Sequence, residues 1–165
     1  MLRRLVRTMV LGLAAVAGAS GAGLSQPAQP PLTRIAFGSC ADEEKPQPIW
    51  DAVGRYRPEL FLFTGDNVYG DVRGGQVLPE ADLLDGLRHA YVQALAVPGF
   101  MAVKTGVRHL ATWDDHDYGR NDAGADFAGR HEAQKLFNDF WNVPADDPRR
   151  HREGVYHAQS FGPPG

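Results

Sequence analysis

Apolar positions fall in blocks along this chain, and three of those blocks end in the same way. Arg34-Ile35-Ala36-Phe37 runs into Gly38-Ser39-Cys40, Leu60-Phe61-Leu62-Phe63-Thr64 runs into Gly65-Asp66-Asn67-Val68-Tyr69, and Val107–Trp113 runs into Asp114-Asp115-His116-Asp117. The unbroken middle run predicts a strand buried on both faces of a parallel sheet, and the other two runs predict strands as well. Between them, Pro46–Tyr56 carries Ile49, Trp50 and Val53 on one side of a predicted helix. Pro79–Leu95 predicts a second helix, opened by Pro79 and closed before Pro98-Gly99. Asp126–Trp141 predicts a third, with Phe127, Leu136, Phe137, Phe140 and Trp141 as its core-facing stripe. Strand, helix, strand in this order predicts a βαβ unit with parallel pairing and a right-handed crossover. The Gly-rich, polar Asn67–Leu78 and the Asp-rich Asp114–Ala125 read as loops, and Val155–Phe161 reads as the start of a fourth strand.

The first residues do not belong to this pattern. Arg3, Arg4 and Arg7 precede an apolar stretch from Met9 to Ala19 that ends among small residues, which predicts a secretory signal peptide over residues 1–24. A membrane anchor is the competing reading, but the stretch is shorter than the ~20 residues a spanning helix needs. Arg3-Arg4 suits the twin-arginine route, although Leu2 and Val6 fit that signal poorly. Residues 25–33, with their prolines and glutamines, suit an extended linker. The expectation is an exported chain, periplasmic or extracellular, with no stable membrane span.

Residues 34–165 then suffice for one core. Hydrophobic residues make up 43% and charged residues 22%, which excludes a disordered composition, and a net charge of −3 supplies no basic field for nucleic acid. The single cysteine, Cys40, cannot form an internal disulfide; it is a free thiol, a metal ligand or half of an intermolecular bridge.

Open α/β sheets bind ligands beyond the carboxyl ends of their strands, where Cys40, Asp66, Tyr69, Asp115, His116 and Asn121 all fall. A carboxylate can bridge two ions, thiolate and phenolate favour a soft or trivalent transition metal, and amide or carboxylate oxygens suit Ca²⁺ or Mg²⁺. Three carboxylates around His116 repel one another in a way that a cation relieves. Asp71, Arg73 and Arg120 lie on the same side as the site and could orient a substrate. The basic run Arg149-Arg150-His151-Arg152 reads as a solvated loop or an anion contact, and His89, His109, His131 and His157 have no motif around them.

In their order and spacing these motifs resemble those of the metallophosphoesterases, and within them the alkaline phosphatase D family. The superfamily pattern of Asp-x-His, Gly-Asp-x-x-Asp and Gly-Asn-His-Asp/Glu has its counterparts in Gly38-Ser39-Cys40, Gly65-Asp66-Asn67-Val68-Tyr69 and Asp114-Asp115-His116-Asp117, with cysteine and tyrosine as departures that look like this branch. The resemblance implies an αββα sandwich, of which this α/β chain would supply the first βαβαβα portion. It implies that Cys40 and Tyr69 ligate ferric iron, that Asp66 bridges two ions, and that Asp115 or Asn121 ligates calcium or another divalent metal. His116 would contact the phosphate as the catalytic residue, with Asn67 and Arg120 binding substrate. It covers the front half of such a domain, whose further metal ligands lie in later loops. Activity of these residues alone is therefore not implied, and an apolar sheet face lined by Phe37, Leu62 and Leu110 is expected to stay wet.

The resulting expectation is a secreted, metal-dependent phosphoesterase acting on a phosphate ester through a water activated by two metals. Two alternatives differ in kind: a metal-binding fragment that does not turn over, and a thiol hydrolase with Cys40 as nucleophile and His116 as base. The many anions favour metal, since they would raise the thiol's pKa. Oligomeric state leaves no trace in the sequence.

Overall fold

A computed structural model describes residues 30–163. Its centre is a parallel three-stranded sheet in the order β1-β2-β5, where β1 is Ile35–Gly38, β2 is Leu60–Thr64 and β5 is His109–Thr112. The register places Phe37, Leu62 and Leu110 in one row and Gly38, Phe63 and Ala111 in the next. The chain is thus mixed α/β. Phe61 and Phe63, side by side on β2 with ring centroids 4.6 Å apart, are buried under a helical layer.

That layer begins with α1 (Ile49–Tyr56), whose Trp50 meets Phe61 and Phe100 at 5.7 and 5.6 Å. Arg57 ends the helix in the left-handed conformation, its N–H returning to the Val53 carbonyl, as αL caps do. Where the sequence predicts one helix over Pro79–Leu95, there is a 3₁₀ turn at Glu80–Asp82, then α2 (Leu83–Ala96), and then a second helix, α3 (Pro98–Gly106). Proline forces its predecessor Val97 out of helical geometry, yet sits well at the first position of a new helix. Phe100 and Val103, three apart, then bury one face of α3. The last long helix, α5 (Arg130–Phe140), starts four residues later than the sequence suggests and buries Ala133 and Phe137.

Two predicted loops are more ordered than expected. Gly74 and Gly75, both at positive φ, turn Val72–Arg73 (β3) back on Gln76–Val77 (β4) as a small antiparallel hairpin, the geometry two-residue turns require. Asp114 opens a four-residue helix, α4 (Asp115–Tyr118), through a capping box with Asp117. Conversely, Val155–Phe161 forms no strand: Val155 is buried, but the segment is anchored by Gln134 accepting from the Gly154 N–H and pairs with no ladder.

The face opposite the helices is open. Phe37 is 75% and Ile35 46% exposed, while Leu62 and Leu110 are half-buried. The predicted leader, residues 1–24, lies outside the described residues; among those described, no helix is long and apolar enough to cross a membrane.

Candidate metal centre

Gly65 draws two of the three loops together. Its φ of +107° suits glycine, and a Cβ there would stand 2.7 Å from the Cβ of Asp114, closer than two carbons pack, so this contact tolerates no side chain. The first loop joins by backbone bonds, Cys40 N–H to the Gly65 carbonyl and Ala41 N–H to that of Asp66, at 3.3 and 2.8 Å. Cys40 (φ 58°) and Asp66 (φ 48°) are both held in the left-handed region, which costs a non-glycine residue about 1–2 kcal/mol and is a form of strain that clusters at functional sites.

The side chains converge on Asp66. Its Oδ2 accepts from the Cys40 thiol at 3.7 Å and from the Tyr69 hydroxyl at 3.4 Å, while its Oδ1 is buried with no hydrogen-bond partner among the described residues. Ligand atoms of Asp66, Asp115 and His116 all lie within 4.8 Å of one another. The Tyr69 ring lies against the His116 imidazole, centroids 4.3 Å apart. Cys40, Asp66, Tyr69, Asp115 and His116 therefore form one cluster.

The other expected residues sit differently. Asn121 reaches the cluster with its backbone, donating to Asp71 Oδ2 at 2.8 Å, while its exposed side chain donates to Asp122. Asn67 is buried: its amide nitrogen donates to the Thr112 carbonyl and to Asp117 Oδ1, so it ties loops together. Arg120 pairs with Asp126 at 2.7 Å.

Three supporting carboxylates are as important as the cluster itself. Asp71, wholly buried, meets His116 Nδ1 at 2.6 Å; it fixes the ring and leaves Nε2 as the second bonding atom. Asp117, also wholly buried, accepts from the N–H groups of Asn67 and Asp114 and from the Asn67 amide. Glu43 accepts from the Tyr69 N–H at 2.9 Å. The sequence marks Asp71 as a substrate-orienting residue and Asp117 as one of the three carboxylates around His116, but their inward turn follows from packing that a loop sequence does not display. A carboxylate that repeats three residues into a turn, as Asp117 does after Asp114, is the one visible signal of a capping box.

The proton affinities show an excess of buried negative charge. Burial raises the Asp66 carboxyl, and Asp115 and Asp114 add to it against the pull of His116. Burial likewise pushes the Tyr69 phenol well up, with Cys40 and Asp66 reinforcing it. For His116, burial opposes the charged form, but Asp71, Asp66 and Asp115 outweigh it and raise the imidazole. Burial also works against Asp115, yet N–H donors from Asp122 and His116 and the nearby imidazole hold it below the ordinary carboxylate range. A cation among these groups would favour every anionic form at once.

The donor set fits metal. The orphaned Asp66 Oδ1 is a buried acceptor that wants a partner, the thiol and phenol crowd the other oxygen of the same carboxylate, and Asp115 supplies a further oxygen on the adjoining loop. Comparison with models of known families, with curated proteins and with solved structures returned no match.

Proposed function

We propose that this chain serves metal-dependent hydrolysis of phosphate esters outside the cytoplasm, as the resemblance to the alkaline phosphatase D family implies. The observation that carries this reading is the convergence on Asp66, whose Oδ2 meets Cys40 and Tyr69 and whose carboxylate lies within 4.8 Å of Asp115 and His116. Cys40, Asp66 and Tyr69 would hold iron as Fe³⁺, and Asp66 with Asp115 would hold calcium or another divalent ion. Bound there, such ions neutralise phosphoryl oxygens and lower the pKa of water to supply a nucleophile.

The chain's own groups do the rest. His116, held by Asp71 through Nδ1, has Nε2 left to donate, and its raised proton affinity favours the imidazolium, which suits a donor to a phosphoryl oxygen. The backbone ties from Cys40 to Gly65 and from Asn67 to Asp117 keep the donor loops in register, so little rearrangement is needed when substrate arrives. The thiol-hydrolase alternative is not supported: among the described residues, the polar side-chain partners of Cys40 Sγ are Ser39, Asp66 and Tyr69, with no hydrogen bond to an imidazole.

The test is calorimetric. Metal-loaded protein should bind inorganic phosphate, and His116→Ala should weaken that binding at least tenfold while leaving metal content unchanged. Metal-loaded wild type that binds no phosphate would overturn the reading.

A further inference from the structure

A cavity of about 630 Å³ opens beside the cluster. Trp50, Val53, Phe61 and Phe63 line it, and so do Cys40 and Tyr69, the two residues that crowd Asp66 Oδ2. Its volume lies within the range of about 300–1,000 Å³ typical of small-molecule sites, and its walls are mostly apolar with a few polar groups, as in such sites.

We propose that this cavity seats the alcohol portion of the phosphate ester, and that the site favours esters of aromatic or similarly bulky apolar alcohols, an assignment that rests on the phosphoesterase reading. A phosphoryl group held at Asp66 must carry its ester substituent somewhere, and the cavity shares Cys40 and Tyr69 with that cluster. Aromatic walls gain from burying an apolar group there, whereas the polar side chains that line the cavity, Asp42 with Lys45 and Gln47 with Trp50, are already paired and offer the hydroxyls of a sugar or glycerol little in exchange for their hydration. A second apolar occupant, a protein segment laid along the cavity, would show itself by the cavity's indifference to small aromatic alcohols.

The experiment titrates metal-loaded protein, as the full chain, with three probes: inorganic phosphate, 1-naphthol and 1-naphthyl phosphate. The expected results are that 1-naphthyl phosphate binds at least tenfold more tightly than phosphate and that 1-naphthol alone binds and quenches tryptophan fluorescence, an effect lost in Trp50→Phe. Val53→Trp, which fills the cavity, should remove the tenfold advantage and leave phosphate affinity unchanged. Should that variant fail to fold, the ratio of the two affinities in the wild type decides alone. Phosphate binding with no added affinity for 1-naphthyl phosphate would overturn the cavity assignment and leave the phosphoesterase reading standing. Binding of 1-naphthol without any binding of phosphate would overturn both.

Discussion

Asp117→Asn should make the stability of the protein less dependent on pH. Asp117 is wholly buried, and burial pushes its carboxyl up to about 7 from 3.8 against the pull of three N–H donors from Asn67 and Asp114. The unfolded chain therefore releases this proton near pH 3.8 and the folded chain only near pH 7. Between those values the folded state binds the extra proton, so the stabilisation is complete below pH 3.8, declines through the window, and is gone above about 7. A displacement of that size corresponds to about 4 kcal/mol in all. Asparagine has the shape of the neutral acid and cannot ionise. In urea melts of chelator-treated protein, the variant should therefore gain on the wild type by roughly 2–3 kcal/mol between pH 5 and pH 8. A difference that stays constant with pH, with the variant weaker throughout, would refute this reasoning: the donors would then be holding Asp117 ionised at every pH, and its charge would be a support instead of a burden.

Other perturbations test other parts of the structure. Gly65→Ala combines a φ of +107° with a Cβ at 2.7 Å from that of Asp114, so it should cost roughly 1–3 kcal/mol in a thermal or urea melt and weaken metal binding by parting the loops; a neutral effect would mean that the loops are not tied there. Phe37→Lys, on an edge strand and 75% exposed, should change stability by no more than about 0.5 kcal/mol while reducing self-association in sedimentation, because lysine on an edge blocks strand pairing. A large loss of stability would show that Phe37 is covered.

The parts of this fold that could be read from sequence are those set by apolar runs. Leu60–Thr64 stands at the centre of the sheet because its alternate aromatics can be buried only there, and parallel pairing brings Cys40, Asp66 and Asp115 to one edge although they lie far apart in sequence. The misreadings concern elements set by backbone or tertiary terms. Pro98 looks like a stop, and is equally a start once Phe100 and Val103 find Trp50 and the sheet to pack against. Gly74-Gly75 makes a turn only because two-residue pairing on either side takes advantage of it. Val155–Phe161 has the composition of a strand, but composition cannot supply a neighbour, and Gln134 holds its start instead. Within the site, the residue types that meet at Asp66, such as Cys40 and Tyr69, were legible in the sequence, whereas directions were not: Asn67 turns inward to Thr112 and Asp117, and Asp71 turns inward to His116, beside the close packing of Gly70 on α2 that no local pattern encodes.

Metal content tests the central claim most directly. Chelator-stripped wild type and Asp66→Asn, a substitution that tolerates φ 48° while removing the charge, are reconstituted with Fe³⁺ and Ca²⁺ and their bound metal is measured by mass spectrometry. The account predicts that the wild type retains metal and shows a visible charge-transfer band that Tyr69→Phe removes, and that Asp66→Asn loses metal with its circular dichroism unchanged. Equal metal content in the two proteins, or none in either, would contradict it.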